Sequence, residues 1–309
     1  MLTTDDLFGG PLLPDPKIEL PGGIPVPAWK NGPLPRIEFT IEMVGPYSVP
    51  AHAAARILDQ DWYVALGHPQ AWAMRPSDTK WDVLTGDKNG SYDSLALSWP
   101  VARPDGDLKT KAAVLLEKTT HHFAEAVNRR AVCLPRIEDV DYLSMDLRRV
   151  LANLDIGLCL TFHPTRRMVS ELEIWRTCAA LGLQFSPDGS FVYRVRGSEL
   201  ALFEVLPLGP VEKFSLGNVQ AGVQHEGVSI GCSIPMCPNP EKAIEGALRT
   251  ARAFCERIGG KATDDEGRFV DAAVAQSLIE QAQHANKLFE QAQLVPGSPE
   301  AVRLFSNNT

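Results

Sequence analysis

The stretch from Gly227 to Asp265, GVSIGCSIPMCPNPEKAIEGALRTARAFCERIGGKATDD, restricts the fold of this chain more than any other. Val228, Ile230, Cys232 and Ile234 alternate with Ser229, Gly231 and Ser233, the period-two pattern of a strand with one buried face. Pro235 stops it. Asn239 stands where a helix N-cap is needed, Pro240 suits the first helical position because its missing N–H has no partner there, and Glu241 favours the positive helix start. Ile244, Ala247, Leu248, Ala251, Phe254, Cys255 and Ile258 then recur at threes and fours, an apolar stripe that needs a sheet to lie on. Gly259 and Gly260 end the helix, and Lys261 to Thr263 begin a second strand.

The same order of elements recurs along the chain. Residues 1–35 carry Pro11, Pro14, Pro16, Pro21, Pro25, Pro27, Pro33 and Pro35 among apolar residues such as Leu20 and Trp29, and read as an arm that is either a flexible leader or lies on the folded body. Residues 36–153 then read as strand (Ile37, Phe39, Ile41 and Met43 alternating with Glu38, Thr40 and Glu42), helix from Val49, strands at 71–75, 80–84 and 94–101, a long helix from Asp107 with Ala112, Leu115, Leu116, Phe123 and Val127 on its buried side, a strand near Val132 and a closing helix. Residues 154–292 repeat this as a strand at 156–162, a helix from Arg166, strands at 190–195 and 199–207, the strand–helix–strand of the opening stretch and a closing helix from Asp271. Each half is βαβββαβα, and LALSWP and IGCSIP end equivalent strands in Ser-x-Pro. The expectation is an α+β chain of two tandem split βαβ domains, each an antiparallel sheet with helices on one face and the other face open. Residues 293–309 form a tail. In the first domain Glu38, Thr40 and Glu42 should face outward, a polar surface unsuited to an apolar peptide, so that domain reads as scaffold or as the site of a different partner.

A net charge of −8 disfavours broad affinity for nucleic acid or for anionic membrane. The six cysteines lie mostly in apolar periodic segments without CxxC pairing, which suits small buried hydrophobes in a reducing compartment. The start MLTTDDLFGG has neither a basic nor an apolar leader region, and no run is apolar enough to cross a bilayer. These features predict a cytoplasmic chain with no direct membrane insertion. Catalytic patterns are weak. Glu117, His121 and Glu125 share a helical stripe with metal-ligand spacing, against the plainer reading of a solvated helix face. Asp264 and Asp265 read as a capping or ion-pairing element beside Arg268, and His163 and His225 as isolated polar surface. No nucleophile elbow, phosphate loop, dinucleotide fingerprint or zinc-protease helix is present. The expectation is a non-enzymatic binding protein that needs no cofactor or metal.

Residues from about Ile156 to Gln291 resemble the C-terminal domain of the ZipA family, bacterial cell-division proteins that bind FtsZ. The matching pieces are ALGLQF, FVYRV, ELALFEVLPL, GVSIGCSIP, the helix ending ERIGG and the following DDEGR; VPGSPEAVRLFS resembles the tail of long ZipA-like proteins that carry a divergent preceding unit. The resemblance implies that the open sheet face takes the C-terminal peptide of FtsZ, at the division site. Carried over by alignment, the peptide groove falls at Tyr193, Leu206, Leu208, Ser229 and Gly231, with Phe191 extending the apolar strip, and Gly157, Cys159 and Ser233 forming a shallow strip beside it. Two positions depart from the family: Gly231 stands where it has Phe, and Pro210 where it has Lys. Losing one buried aromatic costs about 2–3 kcal/mol, or roughly a hundredfold in affinity. The strip would hold an FtsZ peptide in a shifted position or the chain's own Pro-rich arm, the second making the protein a soluble adaptor or scaffold for other peptides. The transmembrane helix of ZipA has no counterpart here, so the expected role omits membrane tethering.

Overall fold

The computed structural model describes residues 13–15, 20–22, 31–76, 78–86, 89–194 and 200–306. The chain forms two compact units, one from Ala28–Asn153 with Pro299–Thr309, the other from Met1–Pro27 with Leu154–Ser298. Both are mixed α+β with antiparallel sheets.

The first unit holds β1 (Glu38–Val44), β2 (Gln70–Met74), β3 (Asp82–Val83), β4 (Ser94–Pro100), α1 (Thr110–Ala126), β5 (Arg130–Leu134) and α2 (Val140–Leu154), in the sheet order β3-β2-β4-β1-β5. Because β4 and β5 both run antiparallel to β1, α1 carries the chain between two parallel strands with a third between them, a split βαβ. The register places Phe39, Ile41, Met43, Leu95, Leu97 and Trp99 on one face, all buried. Trp99 Nε1 donates to the Leu66 carbonyl at 2.7 Å and Trp62 meets Phe123 of α1 edge-on, which fixes the helices to this face. The buried side of α1 is turned slightly from expectation: Ala113, Leu116, Thr120, Phe123 and Ala124 are buried, while Leu115 is exposed.

The opposite face differs from the sequence reading. Glu38 and Thr40 are buried instead of facing water, and only Glu42 is partly exposed. The cause is a helix that the sequence left as tail, α6 (Pro299–Ser306), whose Pro299, Ala301, Leu304 and Phe305 are buried. Its Arg303 pairs with Glu38 at 2.9 Å.

The second unit holds β6 (Gly157–Pro164), α3 (Glu171–Ala180), β7 (Gln184–Phe185), β8 (Phe191–Arg194), β9 (Ala201–Leu208), β10 (Gly227–Ser233), α4 (Pro240–Ile258), β11 (Gly260–Asp264) and α5 (Ala272–Gln291), in the order β7-β8-β9-β10-β6-β11. The split βαβ recurs, with α4 joining β10 to β11 across β6. The opening stretch folds as its residues dictate: Asn239 accepts from the Lys242 N–H at 3.0 Å and Pro240 begins α4. The edges differ between units, since the strand beside β4 is the earlier member of its hairpin whereas β9 beside β10 is the later.

Alpha 4 buries two stripes. The expected one, through Ile244, Ala247, Ala251 and Phe254, faces the sheet, where Phe254 meets Phe162 with ring centroids 5.4 Å apart. Leu248, Cys255 and Ile258 are only half-buried. A second stripe runs through Gly246, Thr250 and Ala253. Pro21 of the arm lies 3.5 Å from where a Cβ on Gly246 would stand, and Asp15 pairs with Arg257 at 3.3 Å and donates its N–H to the Ala180 carbonyl. Gly246 and Arg257 are eleven residues apart, about 16 Å of helix, a distance that the six residue steps from Asp15 to Pro21 can span. The described part of the arm therefore lies on the folded body; Trp29 is outside the described residues.

Asp264 ends β11 buried. It accepts from the Arg268 N–H at 2.8 Å and from the Arg268 guanidinium at 2.7 Å, the ion-pairing element that the sequence suggested. Burial pushes its carboxyl up, but the Arg268 hydrogen bonds and charge outweigh this and hold it below the usual carboxylate range. A depressed folded-state pKa contributes stability above the unfolded value near 4 and loses it as pH falls through the folded one. Thermal melting should therefore weaken below about pH 4. Asp264→Asn should melt lower at pH 7 and show a flatter acid limb; an unchanged limb would refute the assignment.

Candidate functional site

The register of the second sheet sorts its side chains into two faces. Phe191 stands opposite Val205 and Tyr193 opposite Phe203, while Leu206 stands opposite Ser229 and Glu204 opposite Gly231. Phe191, Tyr193, Phe203 and Val205 thus share the helical face. Phe191 is packed against Trp175 at 4.8 Å and Phe214 at 5.5 Å. Tyr193 stacks on Phe203 at 5.5 Å and donates its hydroxyl to the Pro21 carbonyl at 3.0 Å; burial pushes its phenol up.

The expected strip is therefore corrected. Leu206, Leu208, Ser229 and Gly231 do share the other face, joined there by Gly157, Cys159, Thr161 and Ser233. Phe191 and Tyr193 do not belong to it. Asp15 and Pro21 of the arm lie on the helical side, against α4 and Tyr193, and not along the Ser229–Gly231 strip.

What remains on the open face is shallow. Leu206 and Leu208 are half-buried, and the adjoining column of Ser229 and Gly231 carries almost no side-chain volume. Cys159 Sγ and Ser229 Oγ are 3.1 Å apart, so these two small groups occupy each other. A Cβ on Gly231 would meet the Leu158 carbonyl at 3.5 Å, ordinary contact, so the glycine leaves open space and not a steric necessity. At the rim, Glu204 is exposed, yet lost hydration raises its carboxyl, with a Ser190 hydrogen bond opposing and Asp188 adding to the rise. Apolar strip beside exposed backbone is chemistry for a peptide that buries a few side chains.

The other candidates resolve otherwise. His121 and Glu125 are exposed on α1 and 3.2 Å apart, a solvated pair, and no cluster among the described residues is built to hold a metal. His163 is exposed near Thr263. His225 is not surface: it is 1% exposed, and its Nε2 lies 2.8 Å from the Glu171 carboxyl. No side chain in the sequence near His225 signals this, because its partner lies 54 residues away.

No helix among the described residues is long and apolar enough to cross a membrane. No curated protein matches the chain. Residues 158–281, which span the sheet and helices α3 and α4 of the second unit, match the model of the family described as ZipA, C-terminal FtsZ-binding domain.

Proposed function

We propose that this chain is a non-enzymatic cell-division protein that binds the C-terminal peptide of FtsZ on the open sheet face of its second domain. The observation that carries the reading is the half-exposed column of Leu206 and Leu208 on the sheet face opposite the packed helices, within the segment that matches the FtsZ-binding family. Leu206 and Leu208 supply the apolar anchors, and Ser229 and Gly231 let the peptide backbone approach. The shared strand orders β2-β4-β1-β5 and β9-β10-β6-β11 support a tandem origin of domains at 36–153 and 154–292, the arm packing on the second and α6 completing the first. The protein would act in the cytoplasm at the division site.

The test is a titration of labelled FtsZ C-terminal peptide into the full chain. Leu208→Glu replaces about 1.5–3 kcal/mol of apolar burial with a charge that must lose water, and binding should weaken at least tenfold. Gly231→Phe restores the aromatic of the family into open space and should tighten binding about tenfold, half or more of a buried ring being regained. No saturable binding by either the native chain or Gly231→Phe would sink the reading. Gain by Gly231→Phe with no loss in Leu208→Glu would move the site off this strip.

A further inference from the structure

The two faces of the first sheet are chemically unlike. The helical face is Phe39, Ile41, Met43, Leu95, Leu97 and Trp99, as a core should be. The face beneath α6 is Glu38, Thr40 and Ser98 with Ala96 and Trp72, three of the five polar, yet all five are buried. The helix that buries it enters from 146 positions beyond Asn153, after a turn at Pro296 and Gly297, whose φ is 70°.

The contacts made by α6 are those of a recognised ligand. The Arg303 guanidinium lies 4.9 Å over the Trp72 ring, donates to the Gly32 carbonyl at 2.9 Å and pairs with Glu38 at 2.9 Å. Glu38 is held from below by the Leu34 N–H at 3.0 Å, and Trp72 by Ser98 at 2.9 Å. Stacking of the planar guanidinium on the Trp72 face, with its charge paired to Glu38, favours arginine over lysine. Thr40 Oγ1 is buried with no hydrogen-bond partner, as are Thr120 Oγ1 of α1 and Thr250 Oγ1 of α4, a cost that a wetted groove would not have.

We infer that this sheet face is a docking groove for an amphipathic helix bearing one arginine, with residues 299–306 of the chain itself as its resident occupant. The recognised pattern is Ala301, Arg303, Leu304 and Phe305: an apolar stripe at i, i+3 and i+4 with the cation aimed at Glu38. Tethering keeps the resident in place against external helices by effective concentration. The groove is independent of the FtsZ reading, which concerns the other unit.

Two measurements on the full chain test it. Native-state hydrogen exchange should show the α6 amides opening at least a hundredfold more often than those of β1 and β4, because a ligand leaves without melting its receptor. Equal protection throughout would make α6 ordinary core and overturn the inference. Second, fluorescein-labelled peptide 297–309 should bind full-length Leu304→Asp but not the native chain, and Arg303→Lys in the peptide should weaken binding at least tenfold. A Leu304→Asp protein with native circular dichroism that takes up no peptide, or that loses its fold altogether, overturns the inference equally.

Discussion

Gly227→Ala is expected to cost the second unit about 4 kcal/mol, the sum of a forbidden backbone conformation and a collision that the sheet cannot relieve. Gly227 opens β10 with φ at 154°, a region that only glycine enters without strain, and a Cβ there would stand 2.0 Å from the Phe162 carbonyl oxygen. The struck atom belongs to the backbone of β6, which is paired on both sides, with β10 and with β11. Phe162 is fully buried against Phe254, so β6 cannot move aside without opening the contact between sheet and α4. Gly260 approaches the next peptide of β6 from the other side, its missing Cβ 2.3 Å from the His163 carbonyl. The control is Gly267→Ala, also at positive φ but with nothing within 4 Å, which should cost only about 1 kcal/mol. Urea titration read by hydrogen exchange at β6 and β10 reports the second unit alone. Equal costs for the two variants would mean that β6 yields and that the close approach is unimportant.

Much of this architecture was legible because it is local. Alternation in GVSIGCS, the Asn239–Pro240 start and the Gly259–Gly260 end needed no partner to be read, and each survives in β10 and α4. The phase of the neighbouring strands was not legible. Beta 9 reads ALFEVLPL and β8 reads FVYR, both apolar at odd and even positions, so alternation cannot say which set faces the helices. Only the pairing of Tyr193 with Phe203, and of Leu206 with Ser229, decides it. An apolar strip drawn from one-dimensional order therefore mixed two faces.

The first unit shows the complementary limit. Alternation placed Glu38, Thr40 and Glu42 together on one face, and the register agrees. What it could not foresee was that this face would be covered. Alpha 6 is eight residues long, too short for periodicity to announce, and its meaning depends on Glu38, Trp72 and Gly32, more than two hundred positions away. Polar character in a strand reports what water would tolerate, not whether water is there. The same gap explains Gly246, a small residue on the flank of α4 that Pro21 of the arm approaches.

Removal of the Glu171 carboxyl should be nearly as damaging as Gly227→Ala, and for the opposite reason: it leaves partners behind instead of adding atoms. Glu171 is fully buried at the start of α3. Its Oε1 accepts from the Ser215 N–H at 2.7 Å and from Trp175 Nε1 at 3.2 Å, and its Oε2 meets His225 Nε2 at 2.8 Å. One carboxyl thus joins α3 to the loop at Ser215 and to the short strand at Gln224–His225, beside the aromatic cluster of Trp175, Phe191 and Phe214. Glu171→Ala takes the acceptor from two buried groups, on Trp175 and His225, and from the part-buried Ser215 N–H, at roughly 1–3 kcal/mol each, and the expected loss is about 4 kcal/mol after partial rehydration. Glu171→Gln keeps the oxygen that serves Ser215 and Trp175 and offers His225 a donor, so it should recover at least half of that loss. A cavity effect alone would make Glu171→Gln nearly harmless and leave His225→Ala equally costly with or without the Glu171 carboxyl. A hydrogen-bonded network instead makes His225→Ala costly in native Glu171 protein and much less so once Glu171 is gone, a coupling that a double-mutant cycle in urea measures directly. Additive losses across that cycle would show that His225 and Glu171 are neighbours without being partners.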